Sequence, residues 1–542
     1  MVRSTMPDYP LNVAQIVRHG VEVHDRRRVL TLEPGGSTRV ATFAEIGERA
    51  AQLAHALAGL GVSSGHRVAT FLWNNQEHVE AYVAVPLLGA VLHTLNLRLS
   101  AEELAYIVNH AEDRVVIVDG SLAPQFAKVL PKVDGVQAVV VTGDGDVSAL
   151  AESGVSVLRY EDFISAQPTA FVWPEVDETS AAALCYTSGT TGTPKGVAYS
   201  HRSIYLHSLA LLGKDSFGLG ADDMVLAIVP QFHANAWGSI YGALMAGSEL
   251  LLPDRFLQAE PLVGLIETYR PTIALAVPTV WHDVATFLES HPGHDISSLE
   301  FVGVGGTAVS RQLIEAFEKH GVPIFQAWGM TETSPLGLIA RPAKGLGDEE
   351  SWRIRVSQGR PVAGVEARIV ADDGATLPND GVAVGELEVR GPWVTGAYFR
   401  DESGERFDDG WLRTGDIARI DRDHYVTLTD RAKDIIKSGG EWISTVELEV
   451  LISGHPDVAE ASVVGVSDPK WQERPLAAVV VKEGHKVTPA QLCEFLKDKV
   501  ADWWVPERWT FIGAVPRTSV GKFDKRALRA SYAQGELDVI EV

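Results

Sequence analysis

The sequence predicts an α/β protein in three parts: a large N-terminal region of parallel or mixed sheets covered by helices, a β-rich subdomain, and a small α+β unit at the C-terminal end. Three observations predict it. Helix-like and strand-like segments alternate from about residue 11 to residue 250, the pattern of parallel sheets covered by helices. After Val362 the chain turns to short strands separated by turns. A second change comes at the charged run Asp430-Arg431-Ala432-Lys433-Asp434, which reads as an exposed connector.

The elements follow in order. Residues 43–60 are amphipathic at helical spacing and end at Gly61; residues 67–73 read as a buried strand. Residues 101–110 form a helix and 114–118 the strand after it, with further short apolar strands at 224–229 and 273–277. The β-rich part holds strands at 366–370, 385–389 and 424–428. Past the connector come a helix at 445–452, strands at 460–466 and 476–481, and a helix at 489–499. These divisions give an N-terminal domain over 1–429, a connector at 430–434 and a C-terminal domain over 435–542. At 542 residues the chain is too long for one ordinary domain.

Composition excludes several function classes. The chain is 46% apolar and 22% charged, with a mean hydropathy of +0.04, as expected of a globular protein. With 71 acidic against 47 basic residues, the formal charge of -24 leaves no basic surface for nucleic acid. A small anionic ligand needs only a local cluster of donors, so the pocket must hold it unaided. Cys185 and Cys493 form no C-x-x-C pair, which argues against a zinc site or a disulfide framework and fits a reducing compartment. The N-terminus carries no apolar run, and no segment approaches the roughly 20 apolar residues that span a bilayer. A cytoplasmic protein without integral membrane contact is expected.

The strongest chemical signal is Tyr186-Thr187-Ser188-Gly189-Thr190-Thr191-Gly192-Thr193-Pro194-Lys195-Gly196, which follows the apolar strand at 181–185. Glycines let backbone N–H groups approach phosphate oxygens, hydroxyls donate, and the lysine offsets charge. Pro194 before Lys195 and the missing Gly-Lys-Ser/Thr triplet exclude a Walker A loop. Two glycine-rich stretches are set aside. Gly61-Val62-Ser63-Ser64-Gly65 matches a nucleophile elbow in letters, but a helix precedes it and a strand follows, the reverse of what an elbow needs. Gly303-Val304-Gly305-Gly306 lacks the spacing of a dinucleotide loop.

The loop resembles the signature of the adenylate-forming superfamily. Six more stretches resemble that family's motifs in the expected order: Phe232-His233-Ala234-Asn235-Ala236-Trp237, Gly305-Gly306, Trp328-Gly329-Met330-Thr331-Glu332, Thr414-Gly415-Asp416, Asp430 to Asp434, and Pro516-Arg517-Thr518-Ser519-Val520-Gly521-Lys522. The resemblance covers essentially the whole chain. It implies a carboxylic acid activated on ATP with Mg2+ and then passed to coenzyme A. Two anions must meet while charge builds at phosphorus, which requires donors and cations fixed in advance.

By this resemblance Thr187, Ser188, Gly189, Thr190, Thr191, Gly192 and Lys195 grip phosphate, and Thr331 bonds the α-phosphate. Thr187 and Glu332 help hold the metal, a hard cation suited to oxygen ligands. Trp328, where the family often has Tyr, walls the adenine, with Gly305, Gly306, Gln326, Ala327 and Gly329 lining it. Asp416 takes the ribose hydroxyls and Arg431 assists; taken alone, Asp416 reads equally well as a turn-capping aspartate. Thr331 and Glu332 alone read equally as an acidic helix start. Lys522 swings in to bridge carboxylate and α-phosphate, so Lys522, Thr331 and Glu332 are the catalytic candidates.

The resemblance also implies a mobile C-terminal lid that turns about Lys433, so that each half-reaction has its own arrangement. Gly439, Gly440 and Glu441 would then line the coenzyme A tunnel, with Lys437 or Trp442 touching the nucleotide. Trp237 resembles the gate tryptophan of bacterial fatty-acyl-CoA synthetases, with His233, Ala234 and Gly238 beside it. Residues 430–444 (DRAKDIIKSGGEWIS) point to the same subgroup. A medium- or long-chain fatty acid is favoured, with a short thioether acid such as methylmercaptopropionate or an aryl acid as the alternative. A ligase that hands its adenylate to a carrier protein shares nearly every motif and carries an extra segment restraining the hinge; residues 336–358 are long enough to raise that reading. A homodimer through the N-terminal domain is expected.

Overall fold

The computed structural model describes residues 4–187, 193–343, 345–401, 403–431, 433–438, 441–497, 499–518 and 523–542, with Glu441 and Trp442 as backbone only. Four sheets organise them. A seven-stranded sheet runs Ser156–Arg159, Ala138–Thr142, Asp113–Asp119, Arg67–Phe71, Val91–Thr94, Ala181–Tyr186 and Gly196–Ser200. Its strands are parallel except the last, which returns antiparallel to Ala181–Tyr186. The nine-stranded sheet has a parallel centre formed by Ile324–Gly329, Phe301–Gly305, Ile273–Ala276, Met224–Ala227, Glu249–Leu252 and Arg28–Leu32, with antiparallel strands at either edge. The central strands are buried on both faces, as the unbroken apolar runs IALA and MVLA require.

Asn74 joins the two large sheets. Its amide donates to the carbonyls of Ala227 and Val229 at 2.8 Å each, and its Oδ1 accepts the Gln231 N–H at 2.8 Å. The expected strand at 67–73 therefore stops at Phe71, because the residues after it serve this junction. The β-rich subdomain is a five-stranded antiparallel sheet of Glu366–Val370, Gly385–Arg390, Phe407–Asp408, Trp411–Ile420 and Val426–Arg431. The small C-terminal domain carries a six-stranded sheet whose long hairpin, Val458–Asp468 with Gln472–Val481, forms its centre.

Most expected elements appear within a few residues of their predicted ends. Residues 43–60 fold as the helix Phe43–Gly59, whose Thr42 and Glu45 form a reciprocal capping box. Gly61 and Gly65, with φ of 80° and 77°, then turn the chain into the strand Arg67–Phe71, so residues 61–65 are a helix-ending turn. The helix expected over 489–499 stops at Leu496, since Lys497 takes an extended ψ of 138°. The helix Lys525–Ala533 lies in what the sequence presents as a solvated tail.

Candidate active site

The phosphate-loop candidate closes a hairpin. The Thr187 N–H donates to the Lys195 carbonyl at 2.9 Å, and the Lys195 N–H donates to the Thr187 hydroxyl at 3.1 Å. This pair continues the antiparallel ladder of Ala181–Tyr186 and Gly196–Ser200. Ser188 to Gly192 lie outside the described residues. The Lys195 ammonium is 2.8 Å from Asp401 and stands 4.8 Å from the centre of the Tyr398 ring. Beside this cation the Asp401 carboxyl titrates well below the usual range.

Tyr398 leads to the catalytic candidates. Its hydroxyl donates to Glu332 Oε1 at 2.6 Å, and Arg406 approaches the same carboxylate at 3.9 Å. Burial, then the Glu332 charge, raises the Tyr398 hydroxyl pKa, so the phenol stays a donor. The neighbouring Thr331 carbonyl accepts from the Tyr199 hydroxyl at 2.7 Å. Both residues lie in the short 3₁₀ turn Thr331–Thr333 after the strand Ile324–Gly329. That turn has room for no side chain at Gly329, where a Cβ would meet the Pro335 carbonyl oxygen at 1.8 Å. Among the described residues no three His, Cys, Asp or Glu side chains group to hold a metal. Glu332, with one carboxylate oxygen already bonded, fits the one or two carboxylates by which magnesium is commonly held alongside nucleotide phosphates.

The ribose and adenine candidates form a second group. Asp416 is buried, and its two oxygens are taken separately: Oδ2 by the Trp328 indole N–H at 2.9 Å, Oδ1 by the Arg431 guanidinium at 2.9 Å. Asp416, above all other causes, raises the Arg431 pKa. The Trp328 ring lies over Gly337, where a Cβ would come within 2.7 Å of it. Gln326 is spent on structure: its oxygen accepts from the Val309 N–H at 2.7 Å and its amide donates to the Ser357 carbonyl at 2.6 Å. Gly305 and Ala327 are register partners on adjacent strands, and Gly306 follows with a φ of 96°.

Trp237 faces this floor, its ring 3.1 Å from where a Cβ on Gly305 would stand. His233, which makes a contact of its own, precedes the turn Ala234–Gly238. The small residues behind Trp237 do not leave open space. A Cβ on Gly238 would stand 2.6 Å from the His207 imidazole, and one on Gly242 about 3 Å from Leu219 and Leu211. Gly303 is covered likewise by Leu275 and Phe217.

Lys522, Gly439 and Gly440 lie outside the described residues, as do the side chains of Glu441 and Trp442. Lys437 is in the strand Ile436–Ser438, its N–H bonded to Glu473 at 2.9 Å; among the described residues it joins neither group above. Lys433 is exposed, yet partial desolvation by the groups around it lowers its pKa. Earlier in the same motif as Lys522, the charge of Arg517 reaches His282 and Asp283 on the helix Pro278–Ser290, and burial with this charge lowers the His282 pKa. Tyr199, Tyr398, Asp401 and Arg406 are absent from the sequence reading. The aromatic and glycine-rich run Gly391 to Phe399, which breaks the strand alternation, is the signal that marks their neighbourhood.

Residues 17–399 match the AMP-binding enzyme family, and residues 447–522 match the AMP-binding enzyme C-terminal domain. The chain belongs to the AMP-binding enzyme family. It is 44% identical over 528 residues to a 3-methylmercaptopropionyl-CoA ligase of Ruegeria pomeroyi, covering 96% of this chain and 97% of that protein. It is 43% identical over 536 residues to a long-chain-fatty-acid–CoA ligase of Thermus thermophilus, covering 98% and 97%. The fold matches the anthranilate CoA ligase crystallised with anthranoyl-AMP at a TM-score of 0.88 and 28% identity, over 98% of this chain and 99% of that one. This AMP-binding enzyme is an AMP-forming acyl-CoA ligase that uses ATP, Mg2+ and coenzyme A. Among its described residues no helix is long and apolar enough to cross a membrane.

Proposed function

We propose that this ligase activates a short, unbranched acid with a compact apolar tail, on the scale of methylmercaptopropionate or hexanoate. The observation that carries the reading is the packing behind Trp237, where His207, Leu211 and Leu219 occupy the gaps left by Gly238 and Gly242. A longer chain would have to displace them, and a close-packed interior resists that. The sequence favours a medium- or long-chain acid; the packing supports its shorter alternative.

In this reading Thr187, Lys195 and Thr331 hold the phosphates, Glu332 meets the magnesium, and Asp416 with Arg431 takes the ribose against Trp328. Lys522 bridges carboxylate and α-phosphate, and the domain beyond residue 434 turns about Lys433 to admit coenzyme A past Gly439, Gly440 and Glu441. Coenzyme A rather than a carrier protein is supported by the helix Asp348–Arg355, the body of the long segment after Leu336. Its partners Arg311, Glu318 and Asp421 all belong to the N-terminal region, so it does not restrain the hinge. A cytoplasmic location and a homodimer through the N-terminal domain complete the proposal, supported by the unpaired cysteines and by the family resemblance respectively.

The test is AMP and pyrophosphate release with ATP, magnesium and acids from propionate to palmitate, with and without coenzyme A. A kcat/KM optimum at or below hexanoate, with a thioether acid equally good, is expected. An optimum at decanoate or beyond would refute the short pocket. Pyrophosphate without thioester would move the acceptor to a carrier protein.

A further inference from the structure

The turn that presents Trp237 has a backbone its residues do not favour. Ala234, Asn235, Ala236 and Trp237 run consecutively through the left-handed region with φ of 42°, 51°, 51° and 55°. Gly238, at 76°, then leads into the helix Ser239–Ala246. Of the four, only asparagine visits that region readily. Such a run persists where its surroundings over-determine it.

Those surroundings converge on Asn235, which is 3% exposed. Its Oδ1 accepts from the Cys185 thiol at 3.2 Å and from the Tyr82 hydroxyl at 3.4 Å. The Tyr82 hydroxyl shares its one proton between Asn235 and the nearer Gln231 carbonyl, just ahead of the turn. Gln231 is fixed in its turn, its N–H on Asn74 and its Oε1 accepting the Asn75 N–H at 2.9 Å. On the far side the Ser239 hydroxyl donates to the Ala236 carbonyl at 2.7 Å. Asn235 Nδ2 meets no partner among the described residues, so the side chain is held through its oxygen alone. Cys185 is in the strand Ala181–Tyr186, two residues before Thr187.

We propose that Asn235 is a positioning residue for acyl entry: pinned by Cys185 and Tyr82, it holds the left-handed turn that sets the Trp237 ring against Gly305. The inference rests on the reading of Trp237 as the gate. Because the pin sits on the strand that runs into Thr187, a shift of that strand end when nucleotide binds is passed to the turn through the Cys185–Asn235 bond. The turn then relaxes toward ordinary backbone and the ring leaves Gly305.

The experiment measures hexanoate binding to the full chain by titration calorimetry, with and without α,β-methylene-ATP. The readout is the ratio of the two dissociation constants. In the wild type the nucleotude-free affinity is expected to be the weaker. Trp237→Ala should bring the ratio to one, which tests the gate alone. Asn235→Ala should lower the ratio about tenfold, the size of one left-handed alanine's cost, by tightening nucleotide-free binding. Adding Ala236→Gly to that variant should restore it, since glycine takes positive φ freely. Cys185→Ala, a gentler change, should lower the ratio in the same direction and serves if Asn235→Ala does not fold. A ratio that Trp237→Ala abolishes but Asn235→Ala and Cys185→Ala both leave intact would overturn the positioning role and spare the gate. A wild-type ratio of one, or one that Trp237→Ala does not change, would remove the gate and this inference with it.

Discussion

At the scale of single residues, the site depends on who holds Asp416. A buried carboxylate with one oxygen on an indole N–H and the other on a guanidinium is held in one orientation, which suits the proposed grip on two vicinal hydroxyls. The family resemblance assigns Trp328 a wall against adenine; the structure adds that its N–H steers a residue 88 positions away. Trp328→Phe keeps an aromatic face but removes the indole N–H together with part of the ring. Its expected effect is an ATP KM raised about tenfold with kcat changed much less, since a hydrogen bond to a charged group contributes about 1.5–3 kcal/mol. Steady-state kinetics against ATP checks this, and an unchanged KM would return Trp328 to a purely stacking role. The residue types at Thr331, Glu332, Asp416 and Lys195 are legible in the sequence because motif order fixes them. Tyr398 and Tyr199 are not, because each is one aromatic among many until the fold places its hydroxyl on the Thr331–Glu332 turn.

At the scale of elements, the alternation of helical and strand spacing was enough to place helices and strands, because each is decided within its own few residues. The junction between the large sheets was not legible, since it depends on contacts about 150 residues apart. Its other side is Asp254, just beyond the strand Glu249–Leu252, whose N–H donates to the Asn74 carbonyl at 2.9 Å. Asp254 holds a φ of 51°, and its Oδ1 has no partner among the described residues. Burial first, then the charge of Asp119 and, less, of Glu77, pushes its carboxyl up to about 7, with Arg255 acting the other way. Glu77 is engaged by Arg39 at 2.7 Å, so that cation is largely spent. The sign follows from linkage. A carboxyl that holds its proton more tightly when folded contributes stability below its unfolded pKa, and loses it as pH rises through about 7. Asp254→Asn keeps shape and a side chain that tolerates left-handed backbone. It is expected to stabilise the protein by about 2 kcal/mol more at pH 8 than at pH 5. Denaturant midpoints at both pH values decide it, and an equal effect at the two would show that Asp254 is already ionised in the fold.

At the scale of the whole molecule, the two parts of the chain are tied across the proposed hinge by a buried cluster. Asp430, near the end of the strand Val426–Arg431, accepts from the Thr445 N–H at 2.5 Å and from its hydroxyl at 2.6 Å. Lys525 stands on the same hydroxyl at 2.5 Å and pairs with the partly buried Glu449 at 2.9 Å. Thr445 and Lys525 open the C-terminal helices Thr445–Ser453 and Lys525–Ala533, whereas Asp430 belongs to the β-rich sheet. In the proposed turn about Lys433 the helices would move away and leave Asp430 behind, so these bonds would belong to one arrangement only. In the arrangement described, the Arg517 charge is felt by His282 and Asp283 of the N-terminal domain. If that arrangement is the one that brings Lys522 to the acid, the proposed latch favours acid activation over thioester formation. Asp430→Ala is expected to slow acid-dependent pyrophosphate release by about tenfold or more, the effect of losing one or two bonds to a charged group. Transfer of a supplied acyl-adenylate to coenzyme A should hold or rise. The two half-reactions measured separately decide the matter: an equal fall in both would mean that Asp430 supports the C-terminal domain in every arrangement, and that the turn pivots at a point before it.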